Sequence, residues 1–391
     1  MISVSDALDH LFSLANSLPA ETIPLSQANG RSLAAPVSAN RDQPPFSASA
    51  MDGYAVSEAD AVPGATLDVI GEAAAGHSFD GHVTQGQAVR IFTGAPVPAG
   101  ASRVIIQEDV QRIGDTISIS ENLDHGFHIR PAGGDFRRGQ HIESPRVLRP
   151  SDIALLAAMN IAEVPVMRKP RVAILSTGDE LVMPGEVPGP DQIIASNSFG
   201  LQAMLRDLGA EARLLPIARD TKDSLAMAFS LADDADLMIT IGGASVGDHD
   251  LVGDVAQDLG MERSFYKIAM RPGKPLMAGR LANGAMMIGL PGNPVSAMVC
   301  GHIFVQPVIR AMLGLGQSTA PRLSAPLAAP IPPNGPREHY MRARLENGTL
   351  TVFENQDSSL LSILSQANAL AIRPPNDPAQ NAGSHLQYLP I

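Results

Sequence analysis

Between Arg171 and Leu313 short apolar runs alternate with longer amphipathic stretches, and this alternation constrains the fold more than any other feature. Val172-Ala173-Ile174-Leu175, Leu214 to Ala218, Leu237 to Ile241, Phe265 to Met270 and Met286 to Leu290 read as buried strands. Ser198 to Leu208, Lys222 to Ala232, Leu251 to Leu259 and Val295 to Leu313 read as helices. Strands and helices in strict alternation, with strands apolar on both faces, predict a parallel, doubly wound α/β sheet. Each strand empties into a loop rich in Gly, Pro or charge. These are Ser176-Thr177-Gly178-Asp179-Glu180, Arg219-Asp220, Gly242-Gly243-Ala244-Ser245-Val246-Gly247-Asp248-His249-Asp250, Arg271-Pro272-Gly273-Lys274-Pro275 and Pro291-Gly292-Asn293-Pro294. In a parallel sheet all such loops share one edge, where these folds bind ligands.

The chemistry of that edge is mixed. In the 290–296 stretch an apolar strand stops at Pro291-Gly292, Asn293 stands at a helix N-cap and Pro294 at N1. Such a turn offers N–H groups and the positive end of a helix dipole to an anion, though the same residues also suit a well-capped core helix. The 242–247 loop can cradle an oxyanion through its backbone. Arg271 and Lys274 add positive charge, and Glu180, Asp220, Asp248 and Asp250 stand beside them. Carboxylates next to a phosphate site commonly hold Mg²⁺ or another divalent cation, because the ion reconciles the two negative groups. Asp250 can equally cap the helix after it, and His249 reads as a solvated loop residue. Neither a Walker A motif nor a G-x-G-x-x-G fingerprint is present. The residues themselves point to a metal-assisted reaction on a phosphorylated or nucleotide-bearing ligand.

The remainder divides around this domain. Residues 5–18 read as a helix capped by Ser5, and Ser151 caps a second over Asp152 to Met159. Residues 1–40 with 140–168 are read as a small α+β N-terminal domain. An inserted β-rich domain spans 41–139 and carries Asp52 beside Gly53, Thr93-Gly94 in a Pro-stiffened loop, and Asp135 after two glycines. The doubly wound domain occupies 169–317. A C-terminal β-barrel-like domain occupies 318–391, with a hairpin turning at Asn347-Gly348, a pair suited to a type I′ turn. A formal charge of −12 with no basic block speaks against nucleic acid as a partner. The lone cysteine, Cys300, rules out an internal disulfide and fits a reducing cytoplasm. A polar N-terminus and the lack of an apolar run of ~20 residues predict neither a signal peptide nor a membrane span.

Six segments, in order, resemble the molybdopterin molybdenumtransferases, the family of bacterial MoeA and the gephyrin E domain. They are Ser49-Ala50-Met51-Asp52-Gly53-Tyr54-Ala55, Thr93-Gly94-Ala95-Pro96-Val97-Pro98, Ser176-Thr177-Gly178-Asp179-Glu180-Leu181, Gly242-Gly243-Ala244-Ser245-Val246-Gly247, Arg271-Pro272-Gly273-Lys274-Pro275 and Leu290-Pro291-Gly292-Asn293-Pro294-Val295-Ser296.

The resemblance implies a four-domain homodimer whose third domain is MogA-like and binds molybdopterin. It implies insertion of molybdate into adenylylated molybdopterin with release of AMP, in the presence of a divalent cation, and contact with the molybdopterin-adenylating enzyme. The cleft is expected between the third domain of one subunit and the second of the other. Asp52, Thr93, Asp135, Glu180, Asp220, Asp250, Lys267 and Lys274 are the implied catalytic groups, with Glu180 and Asp250 on the metal. Thr177, Gly178, Asp179, Gly242, Gly243, Ser245, Gly273 and Pro291 to Pro294 are expected at the substrate. Arg271, Lys274, Pro275, Ser296, Arg342 and a serine of the run Ser358 to Ser365, taken as Ser365, are expected at molybdate. The chain departs from the family pattern at Arg271 (commonly Lys), Gly134 (commonly Glu) and Ser102 (commonly Asp). Tungstate for molybdate, an adenylating or nucleotide-hydrolysing enzyme on the same sheet, and a scaffolding role are the other readings.

Overall fold

The computed structural model describes residues 1–243 and 251–391. Two compact units emerge, one of Met1–Glu21 with Met167–Ile391 and one of Thr22–Val166.

The larger unit holds the doubly wound sheet. Its strands are β1 (Arg171–Ser176), β2 (Glu211–Leu214), β3 (Leu237–Ile241), β4 (Glu262–Tyr266), β5 (Met277–Arg280) and β6 (Met286–Leu290), in spatial order β2-β1-β3-β6-β5-β4. β1, β2, β3 and β6 are mutually parallel. Strand β5, which the sequence pattern did not announce, runs antiparallel to both β4 and β6. The sheet is therefore mixed rather than wholly parallel. Two antiparallel steps restore direction, so β4 points the same way as β6 and its following loop still reaches the ligand edge. β3 and β6 are buried throughout, and Leu175, Met238, Met277 and Met287 pack with Leu225, Phe229, Val252 and Val255 of two covering helices.

Local expectations shift where proline or a better cap intervenes. The strand expected at Leu214 to Ala218 is instead Glu211–Leu214, because Pro216 has no N–H for the ladder. The first helix is Val4–Leu14, capped by Ser3 rather than Ser5: Asp6 N–H donates to Ser3 Oγ (3.0 Å) and Ser3 N–H to Asp6 Oδ2 (3.2 Å). The long apolar helix comes in three pieces, Pro294–Cys300, one π turn over Gly301–Val305, and Gln306–Met312. Residues 294–312 are long and apolar enough to cross a membrane by composition, but 78% of that stretch is buried in the protein. The last part of this unit is a β sheet built on β7 (Glu338–Glu346), which pairs with Thr349–Val352 through the Asn347-Gly348 turn and with Ala369–Arg373. Both turn residues have positive φ (49° and 76°), as a type I′ turn requires. The Met270–Arg271 strand pairs in parallel with β7, so the loop after β4 is tied to the C-terminal sheet.

In the Thr22–Val166 unit, residues 23–39 and 136–166 share one core around Leu33, Leu148, Leu156 and Val166. The helix there is Pro150–Ala158. Its cap is not Ser151: Pro150 takes N1 and the Asp152 carboxylate accepts from Arg149 N–H (2.8 Å). The intervening chain forms a six-stranded sheet in which Gly53–Val56 lies between Arg103–Ile106 and Gln87–Ile91.

Candidate active site

The ligand edge of the sheet opens into a cleft of about 900 Å³. Its floor is made by strand ends: Thr177 N–H donates to Ile241 C=O (3.1 Å), Gly178 N–H to Ala218 C=O (3.1 Å) and Gly242 N–H to Leu290 C=O (3.2 Å). The loops after β1, β2, β3, β4 and β6 thus emerge side by side. Thr177, Gly178, Glu180, Asp220, Gly242, Gly243, Arg271, Gly273, Lys274, Pro275, Pro291 to Pro294 and Ser296 all line this one cleft.

Two kinds of charge line it. Arg271 and Lys274 come from the 271–275 loop, whose Lys274 C=O accepts from Ile268 N–H (3.0 Å). A third cation, Arg337, arrives from the residue before β7 and was not singled out in the sequence; its Nη1 reaches Met270 C=O (3.4 Å). None of the three forms an ion pair among the described residues. The acids supplied by the sheet-edge loops are Glu180 and Asp220. The Asp220 carboxyl is raised above the ordinary carboxylate range, first by partial desolvation, then by the negative charge of Asp179 and Glu180. Asp179 does not line the cleft; its backbone C=O accepts from Arg219 Nη1 (3.0 Å). Leu181, Ile193 and Ile194 add an apolar wall.

The turn at the end of β6 differs from the expected free anion site. Asn293 sits at the N-cap with extended backbone, but its side chain makes no cap bond. Its Nδ2 donates instead to Ser358 Oγ (3.2 Å), and Ser358 C=O takes the Val295 N–H (3.0 Å). The C-terminal sheet thereby supplies the first-turn acceptor, and Gln356, Asp357, Ser358 and Ser359 join the lining. Asp357 is held below the ordinary carboxylate range by the N–H and hydroxyl of Ser359 (2.8 and 2.7 Å).

Three more expected residues of the larger unit lie off the cleft wall. Lys267 is not on the cleft wall and rests over the Tyr266 ring (4.8 Å). Ser365 lines a neighbouring apolar cavity with Met298, His302 and Leu364, so the serines of its run that face the cleft are Ser358 and Ser359. Arg342 is buried behind the wall. Ser245 and Asp250 fall outside the described residues. Asp52, Thr93 and Asp135 belong to the Thr22–Val166 unit. There, Gly53 presses so closely on its neighbour strand that a Cβ would meet Ile105 O at 1.9 Å, which explains the Asp-Gly pair. Asp52 Oδ1 accepts from Thr93 N–H and Oγ1–H, and Asp52 is held below the ordinary carboxylate range by those bonds and by Arg90. Asp135 lies exposed on a loop whose N–H donates to Gln43 C=O (2.9 Å).

Models of known families match nearly the whole chain: the MoeA N-terminal region (domain I and II) over residues 2–160, a probable molybdopterin binding domain over 173–311, and the MoeA C-terminal region (domain IV) over 324–391. A molybdopterin molybdenumtransferase of Nostoc sp. is 35% identical over 410 residues, covering 100% of this chain and 94% of the relative. Molybdopterin molybdenumtransferase 2 of Mycobacterium tuberculosis is 38% identical over 384 residues, 94% of each protein. The crystal structure of the molybdopterin biosynthesis moeA protein from Pyrococcus horikoshii OT3 superposes with a TM-score of 0.85 at 28% identity, covering 100% of both chains.

Proposed function

The chain belongs to the molybdopterin molybdenumtransferases, enzymes of molybdenum cofactor biosynthesis, and from that premise we propose that it inserts molybdate into adenylylated molybdopterin with release of AMP. The observation that carries the reading is the pairing, in one cleft, of three cations that form no ion pair among the described residues, Arg271, Lys274 and Arg337, with the acids Glu180 and Asp220. The cations suit two anions at once, the phosphoanhydride of the adenylate and the molybdate dianion. Lys274, as a compact point charge, serves the phosphates. Arg271 and Arg337 hold molybdate with Ser296, and the apolar wall at Leu181, Ile193 and Ile194 takes the flat pterin.

No three metal-ligating side chains converge among the described residues, so a divalent cation here would rest on two cleft acids and a ligand from beyond them. Asp220 is raised first by partial desolvation and then by the charges of Asp179 and Glu180, and among the described residues no Lys or Arg forms an ion pair with Asp220 or Glu180. Glu180 and Asp220 would hold the ion, with Asp250 as the further ligand that the family resemblance implies. Bound there, the ion supplies Lewis-acid polarisation of a phosphoryl oxygen. In the group transfer, a molybdate oxygen attacks the adenylate phosphorus and the phosphoanhydride P–O bond breaks. That oxygen leaves with AMP, and the dithiolene sulfurs take its place on molybdenum as their protons are lost. The chain's own cations hold the two anions together against their mutual repulsion, which is an entropic and electrostatic contribution.

We further propose a homodimer in which Asp52, Thr93 and Asp135 of one subunit serve the cleft of the other. Met51, next to Asp52 in sequence, and Phe46 are each 41% exposed, and these apolar side chains support an interface there. The decisive experiment incubates the full chain with adenylylated molybdopterin, molybdate and Mg²⁺, and reads AMP release and protein-retained molybdenum. AMP release that requires molybdate is expected. ATP consumption in the absence of the adenylylated substrate would overturn the reading in favour of an adenylating enzyme.

A further inference from the structure

Arg342 is 2% exposed, and it takes no part in the cleft wall. Its guanidinium is spent on one neighbouring segment. Nε donates to Gln356 Oε1 (3.2 Å), Nη1 to Asp357 C=O (2.6 Å) and Nη2 to Asn355 C=O (3.3 Å). The same Gln356 side chain closes back on the strand: Oε1 accepts Arg342 N–H (2.9 Å), and Nε2 donates to the C=O of Arg342 (3.0 Å) and of Phe353 (2.7 Å). The segment clasped in this way continues directly to Ser358, whose C=O and Oγ engage Val295 N–H and Asn293 Nδ2 at the end of β6. Hydrogen bonds from a buried arginine on β7 thus hold residues 355–357, and the next residue in the chain, Ser358, bonds to the turn at the end of β6.

We propose that Arg342 is a positioning residue, which fixes Ser358 and Ser359 at the cleft and makes no contact with either substrate. This rests on the functional reading above for its kinetic part only. A planar fork with donors in fixed directions suits three acceptors on successive residues; a lysine ammonium, a rotatable point charge, does not. Among the described residues Arg271 and Lys274 donate no side-chain hydrogen bond and Arg337 only one, to Met270 C=O, whereas every nitrogen of the Arg342 guanidinium is engaged, which separates clasp from ligand.

The test is a double-mutant cycle with an independent structural readout. Arg342→Lys and Arg342→Ala are each made in the wild-type chain and in a Ser358→Ala/Ser359→Ala background, and kcat/KM for molybdate is measured. If Arg342 acts by placing the two serines, each variant lowers kcat/KM about tenfold or more alone, Lys included, but less than about threefold when the serines are already gone. Losses that multiply, or an Arg342→Lys protein with wild-type turnover, overturn the proposal. Where Arg342→Ala does not fold, the Lys variant carries the cycle. Hydrogen exchange at Val295 N–H, read without any substrate, should accelerate by about tenfold or more in Arg342→Lys as its acceptor is released. Unchanged Val295 exchange overturns the clasp whether or not the enzyme turns over adenylylated molybdopterin. Conversely, faster exchange in a protein that makes no AMP leaves the clasp standing and sinks only the functional reading.

Discussion

Thr93 donates both its backbone N–H (2.7 Å) and its hydroxyl (2.8 Å) to a single oxygen of Asp52, Oδ1. Bonds to the ionised form lower a carboxyl pKa, so Asp52 stays charged to lower pH than an ordinary carboxylate. Thr93→Val keeps the N–H and the shape but deletes the hydroxyl. The Asp52 pKa then rises, and the acid limb of the pH–rate profile should move to higher pH, with the plateau rate nearly retained. A variant whose acid limb stays put shows that Asp52 ionisation does not govern that limb.

Subunit sharing has a clean signature. Asp52→Asn and Lys274→Ala should each abolish AMP release. If the two residues meet across a dimer, remixing the inactive proteins builds heterodimers with one site intact and one doubly impaired. Random reassortment then recovers about a quarter of wild-type activity, by counting sites in a twofold assembly. Unfolding and refolding the mixture, then assaying AMP, checks this; no recovery means that each subunit is complete in itself or that the residues do not cooperate.

Sequence pattern made the strand-edge loops legible because each lies next to its own strand, and punctuation by Gly and Pro is local. Arg337 and Ser358 were harder. They reach the cleft only because Met270–Arg271 pairs with β7 and Ser358 C=O meets Val295 N–H, contacts between segments more than sixty residues apart. Nothing in the run Ser358 to Ser365 distinguishes its facing serines, since the Leu361–Leu364 helical turn rotates Ser365 into the neighbouring cavity. Strand β5 was hidden because Met277-Ala278-Gly279-Arg280 has little β propensity of its own. Its neighbours force it extended: Gly279 lies so near Glu262 C=O that a Cβ would meet the oxygen at 2.5 Å.

Asp220 is an acid that the fold holds at a cost in stability. Its folded pKa is raised, so between the ordinary carboxylate pKa and that raised value the native state binds the extra proton. Stability therefore falls as pH rises through this window, and above it ionised Asp220 opposes folding. Asp220→Asn should raise the Tm at neutral pH while lowering activity. Mg²⁺ should raise the Tm of the wild type and raise that of the variant less, as expected of a ligand that binds only the folded state. Equal Mg²⁺ responses in calorimetry would remove Asp220 from the metal site.

Gly273 ties the 271–275 loop to the core, and its position disfavours any larger residue. Its φ of +104° is a conformation that L side chains rarely adopt, and a Cβ would stand 2.5 Å from Cys300 Sγ. Cys300 is fully buried in the Pro294–Cys300 helix, with its thiol pushed up by desolvation and so kept protonated, a small apolar neighbour of Gly273. Gly273→Ala therefore meets two separable costs, about 1–3 kcal/mol of backbone strain and about 1–3 kcal/mol of overpacking against the sulfur. Adding Cys300→Ala removes the sulfur but not the strain. The double variant should regain the steric part of the stability lost by Gly273→Ala in denaturant unfolding, relative to Cys300→Ala alone, and part of the lost molybdate affinity. The backbone part should remain. If Cys300→Ala gives no relief, the loop is held by its φ alone, and the sulfur beneath it is not what fixes the height of Lys274 over the cleft.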